Sequence, residues 1–201
     1  MEFNVTAEED YMIVDNFYKD PDAVVALISK QRIAPLWKYY NPEASRNTKD
    51  YYDCRVTIQA DFSLHFAIIR NLVYTVFEDK SDFENVTDQS ANFNVYRTLK
   101  RGRSKNLQMN PHVDHEYNAL VFLDKVESGG TALYSTDSPI ENHESTDLFH
   151  DVSALGKRVI PAKYNRLAIF KGHQWHGGYV ENHDAYIDNW RITQVYFLAE
   201  K

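Results

Sequence analysis

A single cysteine, Cys54, stands among the 201 residues, so the chain has neither an internal disulfide framework nor a cysteine-based zinc motif. Basic residues are in the minority, 22 against 29 acidic, and the formal charge of −7 argues against broad affinity for nucleic acid or an anionic membrane. Long apolar runs are missing too, none approaching the ~18 residues needed to span a bilayer. Met1-Glu2-Phe3-Asn4 shows no basic start followed by an apolar stretch and does not read as a secretion signal. A reducing cytoplasm is the expected setting. No repeat or low-complexity linker divides the chain. One domain over residues 1–201 is therefore expected, and 43% hydrophobic with 14% aromatic residues supply a sizeable core.

The pattern along the chain runs from helix to strand. Asp20-Pro21-Asp22 places a capping aspartate and a first-turn proline before apolar residues spaced for one buried face, which predicts a helix to Lys30. Phe62 to Phe77 repeats apolar residues at three and four, predicting a second, longer helix. From Phe93 the segments change character. Phe93–Leu99, Tyr117–Leu123, Ser128–Tyr134, Arg166–Phe170 and Trp190–Leu198 are short apolar or alternating runs suited to strands. The expectation is a helical layer over residues 1–90 packed on a β-rich core over residues 91–201.

Within that β-rich half, His112-Val113-Asp114 carries the chemistry. Residues two apart in an extended segment point to the same side, so His112 and Asp114 can grip one ion while Val113 turns away into the protein. Asn110-Pro111 just before them favours an extended or turn conformation. A third ligand must come from elsewhere, and His173 and His176 compete for it in His173-Gln174-Trp175-His176-Gly177-Gly178. Two imidazoles and one carboxylate on one face of a metal, with the other face open, is the donor set of non-haem Fe(II) oxygenases. The same donors also suit Zn(II) with an open water position. His115 should face away from the metal, and His65, His143, His150 and His183 read as surface or structural histidines.

In this order of elements the chain resembles the iron- and 2-oxoglutarate-dependent oxygenases, specifically their prolyl-4-hydroxylase-like branch. The resemblance covers nearly everything from about Tyr11: an opening Ile13-Val14-Asp15-Asn16-Phe17-Tyr18, the HxD pair, a strand, a glycine-pair turn with a threonine (Gly129-Gly130-Thr131), a distal histidine, and the basic residue Arg191. It implies an α+β, mainly β fold: a distorted double-stranded β-helix (a cupin-like jelly roll) with the N-terminal helices packed on one sheet. It implies Fe(II) held by His112, Asp114 and His176, since small residues follow the family's distal histidine as Gly177-Gly178 follow His176. His173 is then a supporting or substrate-facing group.

The co-substrate residues depart from the branch. Lysine commonly holds the far carboxylate of 2-oxoglutarate there, whereas Arg191, with Thr193 on the same face, takes that role here; a guanidinium fork suits a carboxylate. The branch often places a tyrosine two residues before the first ligand, a position held here by Asn110, so the tyrosine role passes to Tyr96 on the preceding strand.

The activity implied is that of a dioxygenase using Fe(II), 2-oxoglutarate and O2, with ascorbate as a stimulant. It would hydroxylate an unactivated C–H bond of a small molecule or amino acid derivative and release succinate and CO2. Three alternatives stay open: a prolyl hydroxylase of protein or peptide, a zinc hydrolase, and a non-catalytic cupin-like metal-binding module. The hydrolase lacks an obvious general-base carboxylate and leaves Arg191 without a role. Lys100-Arg101-Gly102-Arg103-Ser104-Lys105 reads as a solvated hairpin tip. The aromatic stretch from Trp37 to Tyr52 and the polar loop from Ser135 to Gly156 are candidates to close over a compact substrate.

Overall fold

The computed structural model describes residues 3–30, 51–86, 91–98, 101–102, 107–135, 149–151 and 156–201. In chain order these form β1 (Val5–Ala7), β2 (Tyr11–Val14), α1 (Pro21–Ser29), β3 (Tyr51–Ile58), α2 (Ser63–Val76), β4 (Phe83–Asn85), β5 (Ala91–Thr98), β6 (Leu107–His112) and β7 (Tyr117–Phe122). There follow β8 (Gly130–Tyr134), β9 (Phe149–Asp151), β10 (Lys157–Pro161), β11 (Arg166–Lys171), β12 (His176–Tyr179), a 3-10 turn at His183–Tyr186, and β13 (Arg191–Glu200). Both expected helices form. Asp20 accepts a hydrogen bond from the Ala23 amide at 2.9 Å, capping the first turn of α1 as its sequence indicates.

Among the described residues the strands make two antiparallel sheets. The larger runs β1-β2-β11-β7-β13-β5-β3, with β4 added on β13; the smaller runs β10-β8-β12-β6-β9. Period-two alternation decides what each face covers. Ala119 and Val121 of β7, Leu167 and Ile169 of β11, and Tyr196 and Leu198 of β13 pack with Val24 and Ile28 of α1 and Ile69, Leu72 and Val73 of α2. Full burial of such aliphatic side chains stabilises by about 1.5–3 kcal/mol each. The opposite face turns Phe122, Ala168 and Phe170 toward Leu133 and Ile160 of the smaller sheet. Because β7 and β11 are covered on both faces, they read in the sequence as continuous apolar runs rather than alternating ones.

The N-terminal third is less purely helical than its pattern indicates, since β1 to β4 all join the larger sheet. Asp15, just after β2, holds it to the β10–β11 turn through Arg166 (Nε–Oδ1 2.7 Å, Nη2–Oδ2 3.2 Å) and Lys163 (2.7 Å). No described helix is long and apolar enough to cross a membrane. Trp37, Tyr39, Tyr40, His143 and most of the Ser135–Gly156 loop lie outside the described residues, whereas Tyr51 and Tyr52 open β3. Of the basic run, Arg101 and Gly102 form an exposed turn.

Candidate metal centre

β6 ends on His112 and β12 begins on His176, and the two residues are direct partners across the smaller sheet. The chain then leaves β6 in a turn whose position is set from outside. The Asp114 amide donates to the Gly172 carbonyl at 2.8 Å, and the Gly172 amide donates to the Glu116 carbonyl at 2.9 Å. Such an approach requires glycine, because a Cβ on Gly172 would lie 1.8 Å from the His115 carbonyl oxygen. Val113 is exposed to solvent, at 45%, rather than turned into the protein; it sits beyond the last residue of β6, where no described layer covers it.

One ligand atom from each of His112, Asp114 and His176 lies within 4.8 Å of the others. Asp114 Oδ2 is 3.2 Å from His112 Nε2 and 3.3 Å from His176 Nε2. His176 Nδ1 lies 2.7 Å from the Gln174 carbonyl, which can only accept, so the proton resides on Nδ1 and the Nε2 lone pair faces the cluster. Burial alone would raise the Asp114 carboxyl, but the imidazoles of His112 and His176 and the Asn118 amide beside it hold it far below the usual carboxylate range. Asp114 is thus an anion ready for a cation. Exposure falls across the cluster, from 40% for the His112 side chain to 21% for Asp114 and 4% for His176, so the site opens on the His112 side. His173 is exposed outside this cluster and His115 is also exposed.

A second polar feature occupies the space between the sheets. Arg191 and Thr193 face inward from β13, Thr193 opposite Phe122 and Arg191 opposite Tyr96. Arg191 is 5% exposed, and its Nη2 crosses to the smaller sheet to donate to the Gly130 carbonyl at 2.7 Å. Among the described residues its buried Nε has no hydrogen-bond partner, nor does the buried Thr131 hydroxyl beside Gly130. Among the described residues no carboxylate pairs with this guanidinium; the buried Asp124 accepts from Tyr186 instead. The Tyr96 hydroxyl lies 2.9 Å from Nδ1 of the buried His183.

Asn118 went unnoticed in the sequence because it lies inside the apolar run of β7. Its Nδ2 lies 2.8 Å from Asp114 Oδ2 and 2.9 Å from His176 Nε2. The available signal was its polarity at a position whose neighbours two and four residues on, Leu120 and Phe122, face the inside of the sandwich.

Solved structures share this architecture. The epimerase SnoN, in complex with Fe3+, alpha ketoglutarate and nogalamycin RO, matches with a TM-score of 0.56 at 10% identity over 95% of this chain and 79% of its own. The non-heme alpha ketoglutarate dependent carbocyclase SnoK from nogalamycin biosynthesis matches at 0.57 and 14%, over 96% and 80%. This chain has the fold of the 2-oxoglutarate and iron oxygenases. An oxidoreductase of the 2OG-Fe(II) oxygenase family from Burkholderia pseudomallei agrees, at 0.54 and 13%, over 96% and 86%. No family model matches the chain, and no curated protein matches it. Arg191 reaches from the larger sheet to Gly130 of the smaller one, and His176 packs against Phe170 of the larger sheet.

Proposed function

We propose that the protein is an Fe(II)- and 2-oxoglutarate-dependent oxygenase in which His112, Asp114 and His176 hold the metal and Arg191, with Thr193, holds the far carboxylate of 2-oxoglutarate. One observation carries this reading: among the described residues, a three-donor cluster stands beside β12 and β6 while a buried guanidinium with no carboxylate partner reaches from β13 to the same smaller sheet. The donor set fits Fe(II), with one anionic and two neutral ligands on one side. The guanidinium and the unpartnered Thr131 hydroxyl fit a carboxylate, which would accept from both. When bound, iron with 2-oxoglutarate and dioxygen supplies the oxidising power to attack an unactivated C–H bond, leaving succinate and CO2.

The chain's own residues bind, orient and exclude water. The Gln174 carbonyl fixes the His176 tautomer, the Gly172 contact fixes Asp114, and Phe170, whose ring lies 4.9 Å from that of His176, keeps the inner side apolar. Tyr96 stands opposite Arg191 on the neighbouring strand, and we assign it the supporting role toward the co-substrate. The reaction we assign is hydroxylation of a small molecule or amino acid derivative. The open His112 side gives such a substrate access, and SnoN, with a similar fold, binds nogalamycin RO.

The test supplies protein, Fe(II), 2-oxoglutarate and ascorbate with size-fractionated cell extract. Succinate release and a product heavier by one oxygen atom are expected with the fraction below a few kilodaltons. Stimulation confined to the protein fraction would assign a protein hydroxylase, and no stimulation by any fraction would leave a non-catalytic metal-binding module.

A further inference from the structure

Asn118 belongs to the larger sheet, yet its side chain crosses the interior to the ligands of the smaller one. It is 1% exposed. The atoms it meets are informative. An amide that merely braced a ligand from behind would touch the outer carboxylate oxygen or the outer imidazole nitrogen. Asn118 instead meets Asp114 Oδ2 and His176 Nε2, the two atoms turned toward the cluster.

The separations have the spacing of ligands. Asp114 Oδ2 lies 3.2 Å from His112 Nε2, 3.3 Å from His176 Nε2 and 2.8 Å from Asn118 Nδ2, which is itself 2.9 Å from His176 Nε2. Two ligand atoms about 2.1 Å from one ion and at right angles to each other are about 3.0 Å apart. The end of the Asn118 side chain thus stands where a neighbouring ligand would stand.

Proton placement then decides which amide atom belongs there. With Nδ1 donating to Gln174, His176 Nε2 has one lone pair. A cation takes that lone pair, and an Asn118 N–H left pointing at it would lose its acceptor and present a positive hydrogen to a positive ion. A half-turn about the Cβ–Cγ bond exchanges nitrogen for carbonyl oxygen, a ligand that hard cations accept. The turn gives up the N–H donation to Asp114 Oδ2, which the cation between the two oxygens replaces, and at the other end it breaks no bond among the described residues, because Oδ1 is buried there without a partner. Resting on the metal assignment above, we propose that Asn118 is a fourth protein ligand of this centre, its amide oxygen facing the cation beside Asp114 and His176. A neutral amide is the weakest donor of the four and fills a coordination position until an incoming group displaces it.

The test uses the full chain reconstituted with Mn(II) and carrying 13C at the side-chain carbonyl of asparagine, read by electron–nuclear double resonance. One strongly coupled carbon is expected in the wild type. It should vanish in the near-isosteric Asn118→Leu variant, whose Mn(II) affinity should fall about tenfold. If the variant fails to fold, the wild-type spectrum alone decides. Mn(II) binding that Asp114→Ala abolishes, with no strongly coupled carbon in the wild type, overturns the fourth ligand and leaves the triad standing. Absence of Mn(II) binding by the wild type overturns both.

Discussion

Replacing Arg191 with methionine is expected to move two equilibria in opposite directions. The guanidinium is buried and, among the described residues, donates to the Gly130 carbonyl and leaves Nε without a partner. An uncompensated buried ion costs several kcal/mol, while the lost charged hydrogen bond returns only about 1.5–3 kcal/mol of that. Methionine keeps much of the side-chain volume, so the ligand-free variant should be more stable by about 1–3 kcal/mol. At this chain length that raises the melting temperature by roughly 3–10 °C. Binding of 2-oxoglutarate responds the other way. Removing one partner of a buried charged pair costs about 3–4 kcal/mol, which weakens affinity by about 10²–10³-fold. Calorimetric melting with and without 2-oxoglutarate, in the presence of Mn(II) to prevent turnover, measures both quantities on the same samples. A variant that melts below the wild type without ligand, and is protected equally by 2-oxoglutarate, would show that Arg191 is structural and refute the reasoning.

The other expectations concern the metal site and the scaffold around it. His112→Ala, Asp114→Ala and His176→Ala should each reduce anaerobic Fe(II) affinity by about a hundredfold or more, with His173→Ala unchanged; retained binding in His176→Ala and loss in His173→Ala would reverse the ligand choice. Gly172→Ala places a Cβ 1.8 Å from the His115 carbonyl oxygen, so the Asp114 turn must shift and metal affinity should drop even in folded protein; titration at wild-type affinity would mean the turn is not positioned from Gly172. The Asp15 carboxyl is held down to about 2 from 3.8, first by its hydrogen bond to Arg166, then by Lys163. Its stabilisation is fully present above pH 3.8 and is lost as pH falls through about 2. Discounted for its solvent exposure it amounts to about 1 kcal/mol. The urea midpoints of wild type and Asp15→Asn should therefore differ at neutral pH and converge near pH 2; a gap of constant size across that range would contradict the assignment.

The proximity of His112 and Asp114 was legible from their spacing of two, although Asp114 lies past the end of β6 in a turn held by Gly172. Arg191 and Thr193 share one face of β13 by the same period. Long, doubly covered strands such as β7 and β11 were legible for the same reason. The elements that were not legible are those whose formation depends on neighbours. β12 is His-Gly-Gly-Tyr, a sequence of poor strand propensity, and it exists because β6 and β8 pair with it from both sides. β1 and β4 have three residues each, too few to display a period. β3 lies at the sheet edge and mixes Asp53, Arg55 and Thr57 with its apolar residues. Asn118 required tertiary information, because only the approach of the second sheet brings Asp114 and His176 to a strand that otherwise reads as core.

The place of β13 constrains the order in which the molecule can assemble. It lies in the middle of the larger sheet, hydrogen-bonded to β7 on one side and β5 on the other, although it follows every other described strand in sequence. A chain emerging from the ribosome therefore presents β5 and β7 with unpaired edges until residues 191–200 arrive. Pairings this distant along the chain make folding slow, and open edges leave truncated or stalled chains prone to aggregate. Because Arg191 opens that same strand, the sheet is joined by the segment that also brings the guanidinium between the layers.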